Sequence, residues 1–133
     1  MKSVICVLVV VVAVVTANQI QEKWNRVHQG CQQNQALYVP DIIFEQLKRG
    51  EKPNLPANFG LHANCMMVDL GYQDSQGQAI TGAIREIIKK YYSDNGKVED
   101  IVRECSNQHG NKEQVALGLF SCFGKHKINI GQF

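Results

Sequence analysis

The chain has 133 residues, 44% of them hydrophobic and 20% charged, with 14 Lys and Arg against 12 Asp and Glu. That length suits one domain with a single core. A formal net charge of +2 excludes an electrostatic case for nucleic acid or an anionic membrane as partner.

Residues 1–17 read as a secretory signal peptide. Lys2 supplies the positive start, Val4 to Val15 is apolar throughout except for Cys6, and Val15-Thr16-Ala17 places small or aliphatic residues where a signal peptidase cuts. The run is about a dozen residues, too short for a membrane span. Residues 18–133 are then the mature domain, expected to be exported to the extracellular space without stable membrane insertion. Setting Lys2 aside removes one of the 14 basic side chains and leaves a net charge of about +1. No Asn-x-Ser/Thr sequon occurs.

The first mature helix is expected from about Ile20 to Gln35, with Ile20, Trp24, Val27 and Cys31 on one stripe. Tyr38-Val39-Pro40 breaks it, because the residue before proline avoids helical geometry. Pro40 suits the first position of a short second helix, with Asp41 near its positive end, Ile43 and Leu47 inside, and Gly50 as its stop. Arg49 to Asn58 carries Pro53 and Pro56 and reads as a loop.

The third helix, Leu61 to Tyr72, is the centre of the pattern. Leu61, Cys65, Val68 and Tyr72 form one apolar row, Ala63, Met67 and Leu70 a second, and Met66 fills part of the gap between them. His62, Asn64 and Asp69 are its polar members. A helix apolar around most of its circumference belongs in the middle of a domain. Gln73 to Gly77 is a turn, followed by the strong stripe Ile80, Ile84, Ile87, Ile88 and Tyr91. Asp94 or Asn95 can cap a fifth helix striped by Val98, Ile101, Val102 and Cys105 and closed by His109-Gly110. Asn111 with Gln114 forms a capping box for a sixth, which carries Val115, Leu119, Cys122 and Phe123 on one face. The tail keeps Ile128, Ile130 and Phe133. The expected class is all-α, with six helices.

Four cysteines remain after cleavage: Cys31, Cys65, Cys105 and Cys122. An even number in a small exported chain argues for two disulfides, and three pairings are open. Each cysteine lies on the stripe of a different helix, so the bridges join packed helices. Each is worth roughly 3–4 kcal/mol by loop closure.

Catalysis finds no support. There is no Gly-x-Ser-x-Gly elbow, His-Glu-x-x-His pair or phosphate-binding glycine loop. His28, His62, His109 and His126 are scattered without metal-ligand spacing, and each reads as an ordinary surface or half-buried histidine. No enzyme activity, cofactor or metal is expected. Met66 and Met67 are adaptable apolar side chains. With Val68, Leu70, the Ile80–Tyr91 stripe, Leu119 and Phe123 they either line a cavity between helices or fill a solid core; spacing favours the solid core.

The whole mature chain resembles the insect odorant-binding proteins of the general and pheromone-binding superfamily. The family pattern has six cysteines, the second and third separated by three residues and the fifth and sixth by eight. Cys31, Cys65, Cys105 and Cys122 match the first, third, fourth and sixth, which puts the missing second at Leu61 and the missing fifth at Glu113. Those two are partners in the family, so their joint loss matches its four-cysteine branch. The stretch from Cys65 to Gly71 and Asp74-x-x-Gly77 strengthens the likeness.

The resemblance implies bridges Cys31–Cys65 and Cys105–Cys122 and a central apolar cavity carrying small volatile or lipid-like ligands. Ala63 and Val68 match cavity-side positions of the third helix in relatives, and helical phase adds Ile84, Ile88, Leu119 and Phe123. With Met67 and Phe133 these are the expected ligand contacts, and Ile128, Ile130 and Phe133 the covering tail. Tyr38, Tyr91 or His109 would hold a ligand hydroxyl or carbonyl, and histidine protonation would drive release. The partners implied are a small apolar ligand and a membrane odorant receptor, the protein itself being a monomer or weak homodimer. Lacking the bridge between helices three and six, the pocket is expected to be plastic and broad in ligand choice. The competing expectation is a secreted protein-interaction module without a cavity.

Overall fold

The computed structural model describes residues 19–131; the expected signal peptide, 1–17, and Phe133 lie outside them. Among the described residues there are six α-helices and no strand, only an isolated bridge between Gln73 and Ala79. The fold is all-α.

Helix α1 spans residues 19–32. Its stripe sends Trp24 and Cys31 into the core, with Ile20 and Val27 half-buried. It stops short of Gln35 because Asn34 accepts the Ala36 N–H and starts a separate 3-10 turn, Gln35–Leu37. Gln32 then holds the returning chain: its amide oxygen accepts the Val39 N–H at 2.9 Å and its amide nitrogen donates to the Val39 carbonyl at 2.6 Å. Helix α2 is Asp41–Lys48 and so begins one residue later than expected, with Pro40 as its capping residue rather than its first helical residue. It contains no buried residue, and Gly50, at φ +80°, turns the chain away.

Helix α3 is Phe59–Leu70, ended by the left-handed Gly71, whose N–H reaches the Met67 and Val68 carbonyls. Its buried arc is His62, Ala63, Met66, Met67 and Leu70. Two expectations are corrected here. Leu61, Cys65 and Val68 are only half-buried, and His62 is buried at 1% exposure. The row assignments treated histidine as outward-facing, which rotated the apparent inner face by one residue.

Helix α4, Thr81–Lys89, buries Ile84, Ile87 and Ile88, while Tyr91 is exposed and donates its hydroxyl to the Asn129 carbonyl at 2.7 Å. Helix α5, Asn95–Ser106, is capped by Asp94 and buries all four expected positions. It ends before His109-Gly110 because the Gln108 amide folds back and donates to the Cys105 carbonyl, satisfying a terminal acceptor that another turn would have used. Helix α6, Lys112–Lys125, opens with both hydrogen bonds of the Asn111–Gln114 capping box and buries Val115, Ala116, Leu119, Cys122 and Phe123.

The bridges are Cys31–Cys65, joining α1 to α3, and Cys105–Cys122, joining α5 to α6. No bridge links α3 to α6, yet these helices lie against each other closely: a Cβ on Gly60 would stand 3.0 Å from the Glu113 Cβ. Close backbone approach takes the place of the covalent tie. After α6, Ile128 and Ile130 turn into the core. Gly131, at φ +104°, lies so near α1 that a Cβ there would meet the Ile20 carbonyl oxygen at 2.6 Å and the Trp24 Cβ at 2.8 Å.

Candidate ligand cavity

Between α1, α2, α3 and α6 the side chains leave a cavity of about 270 Å³, partly open to solvent. Its wall is Trp24 from α1, Phe44 and Leu47 from α2, Phe59, His62, Ala63 and Met66 from α3, and Phe120 and Ser121 from α6. The α3 residues fall at i, i+3, i+4 and i+7, one continuous face. Aromatic rings dominate. Trp24 meets Phe120 edge-on with centroids 5.9 Å apart, Phe44 lies 5.9 Å from Phe59, and Phe44 lies 5.1 Å from His62. Such contacts hold rings in defined orientations rather than as a fluid interior.

His62 is the buried polar group of this wall. Its Nδ1 lies 2.9 Å from the Leu37 carbonyl oxygen. A carbonyl only accepts, so the hydrogen is on Nδ1 and Nε2 is an acceptor. Nε2 stands 3.3 Å from His28 Nδ1, which must donate. His28 packs edge-on to Phe44 at 4.7 Å, and its Nε2 lies 3.7 Å from the Asp41 carboxylate. Burial, offset in part by the Leu37 bond and reinforced by His28, lowers the His62 pKa below 6.5. At neutral pH His62 is uncharged.

Of the residues singled out from the sequence as ligand contacts, Ala63 lines the cavity. Met67, Ile84, Ile88, Leu119 and Phe123 are buried in the hydrophobic cluster that also holds Ala63 and Met66. Val68 is half-buried, and Phe133 lies outside the described residues. Ile128 and Ile130 pack into that same cluster and are not among the cavity-lining residues. Neither are Tyr38, Tyr91 or His109, and the Tyr91 hydroxyl is already engaged by Asn129. Sequence reasoning missed the aromatic wall of Trp24, Phe44, Phe59 and Phe120, together with His62. The signal was present in the spacing Phe59, His62, Ala63, Met66, had His62 been counted with the apolar residues.

Among the described residues, two other clusters contain potential metal ligands: Cys31, Cys65 and Asp69, and Glu104, Cys122 and His126. Each includes a bridged cysteine, whose sulfur is no thiolate. In the second, hydrogen bonds from Lys125 and His126 hold the Glu104 carboxyl below its ordinary pKa of 4.5, an ion-pair role.

A helical domain tied α1–α3 and α5–α6, with a ring-lined, partly open cavity between α1, α2, α3 and α6, is thus the frame. The sequence profile of the PBP/GOBP family matches residues 13–126. The chain belongs to this family. Family membership agrees with the all-α fold and with the observed bridges. No curated protein and no solved structure matches the chain. Among the described residues no helix is long and apolar enough to cross a membrane.

Proposed function

We propose that this protein is an exported carrier that takes up one small, mainly apolar molecule in the cavity between α1, α2, α3 and α6. The observation that carries this reading is the 270 Å³ space walled by Trp24, Phe44, Phe59, Met66 and Phe120, in a chain of the PBP/GOBP family. Transfer of an apolar molecule from water to such a site yields about 25 cal/mol per Å² buried. Losses on association reduce that yield, so affinities of about 1 μM are expected. On this reading the domain serves as a carrier and not as a catalyst, its buried His62 being tied to the Leu37 carbonyl within an aromatic wall. Residues 1–17 act as the leader and 18–133 as the mature domain, which acts as a monomer or weak homodimer and delivers its cargo to a membrane receptor. Met67, Ile84, Ile88, Leu119 and Phe123, in the hydrophobic cluster that also holds Ala63 and Met66, let the wall adjust to ligands of slightly different shape.

The test is displacement of a fluorescent apolar probe from the oxidised mature protein. Saturable one-site uptake, reversed by small alcohols or esters at micromolar concentration, is the expected result. A folded, fully bridged sample that takes up no probe would sink the carrier reading and favour a protein-interaction module.

A further inference from the structure

Resting on the carrier reading, the cavity's own chemistry narrows the ligand. At about 30 Å³ per non-hydrogen centre, the share of one water in the liquid, a 270 Å³ space holds about nine such atoms. A six-membered ring with a short arm fills it, whereas a sixteen-carbon chain does not. The wall presents ring faces and edges from Trp24, Phe44, Phe59 and Phe120, surfaces that pack best against another ring.

The polar end is set by the histidine pair. The Leu37 carbonyl fixes the hydrogen of His62 on Nδ1, so its Nε2 can only accept. Facing that acceptor, His28 Nδ1 is the donor of this contact. Their separation of 3.3 Å exceeds the usual 2.9–3.0 Å of such a bond, so this contact is the weak link of the wall. A hydroxyl satisfies both nitrogens at once, donating to one and accepting from the other, if the rings part by about 1.5 Å. His28 has room to do so, because beyond it lies an open polar depression lined by Gln21, Asn25, Asp41 and Lys48. His62 lines the cavity and His28 the depression, and Trp24 and Phe44 border both spaces, so a polar atom reaches the pair at that shared border. An ether, ester or ketone can accept from His28 but leaves the buried His62 Nε2 without a donor.

We propose that the cavity is selective for compact ring alcohols, whose hydroxyl bridges His62 Nε2 and His28 Nδ1. This narrows the breadth of ligand choice expected from the missing third bridge.

The experiment measures displacement of a fluorescent apolar probe from the mature, oxidised protein by 2-phenylethanol, its methyl ether, ethylbenzene and hexadecan-1-ol. The alcohol should bind about tenfold more tightly than its ether and more tightly than the long chain. His62→Phe should bring the alcohol-to-ether ratio to about one by weakening the alcohol alone. His28→Phe, at a half-buried site, should do the same, and circular dichroism verifies that both variants fold. Equal binding of alcohol and ether by the unmodified protein would overturn the proposal, as would a ratio that survives both substitutions, or hexadecan-1-ol competing as well as the ring alcohol. Displacement by none of the four, with no probe uptake, would instead overturn the carrier reading on which it rests.

Discussion

Ala63→Leu is the substitution that separates a cavity from a solid core. Ala63 is buried and lines the 270 Å³ space. Leucine adds three carbons there, each about the 30 Å³ of a liquid water, so roughly 90 Å³ in all. Filling empty apolar volume returns about 24 cal/mol per Å³, an upper bound of about 2 kcal/mol. Ordering the leucine side chain takes back about 0.5–1 kcal/mol. The expected net gain is about 1 kcal/mol, which with an ordinary urea dependence raises the unfolding midpoint by about 0.5 M. In a filled core the same change would overpack and destabilise by about 1–3 kcal/mol, so the two cases differ in sign. Urea unfolding followed by circular dichroism reads the stability, and probe displacement reads the site. With a third of the space gone, affinity for a ring alcohol should fall at least about tenfold. A lowered midpoint together with unchanged affinity would show that the space at Ala63 is neither empty nor the binding site.

The two disulfides should differ in worth by loop length. Paired alanine substitutions at Cys31 and Cys65, 34 positions apart, should cost about 3.8 kcal/mol, and those at Cys105 and Cys122, 17 apart, about 3.2 kcal/mol; urea midpoints giving the opposite order would refute the loop argument. His62 is neutral in the fold, with its pKa below 6.5, so the unfolded chain takes up a proton at a higher pH than the folded one. Its contribution is therefore complete above pH 6.5 and lost as the pH falls beneath that value. Stability against unfolding and probe binding should both fall from pH 7 to pH 5, and an identical pH slope in His62→Phe would assign the effect elsewhere. Helix α2 buries no residue, whereas α3 carries five buried ones. Native-state hydrogen exchange should therefore be faster in α2 than in α3 by about tenfold or more; equal protection would mean that α2 opens only with the whole domain.

The helices were legible because their stripes, caps and stops are local. Val98, Ile101, Val102 and Cys105 are all buried as their spacing requires, and the Asn111–Gln114 capping box forms as read. Boundaries slipped where a side chain returned to the backbone. Asn34 at the 3-10 turn and Gln108 at the Cys105 carbonyl both end a helix early, a choice that no apolar period encodes. The cavity was less legible. Its polar member, His62, is buried through a bond to Leu37, 25 positions away, and hydropathy alone counts such a residue as exposed. Phe44 was passed over for Ile43 because a helix of eight residues is too short for its phase to be read from two apolar positions.

The approach of Gly131 to α1 gives the end of the chain a fixed register. The Ile20 carbonyl and the Trp24 Cβ admit a residue without a side chain at that point. Between Lys125 and Gly131 the sequence offers one glycine. Sliding the segment by one residue would bring Ile130 against a backbone oxygen and withdraw Ile128 from the core. The segment therefore docks in one way, as a key whose notch is an absent methyl group. Because that notch bears on Trp24, the cavity wall at Trp24 is braced from behind, while the wall contributed by α2 comes from a helix with no buried residue. The cavity has a rigid side and a yielding side, and the difference originates outside the residues that line it.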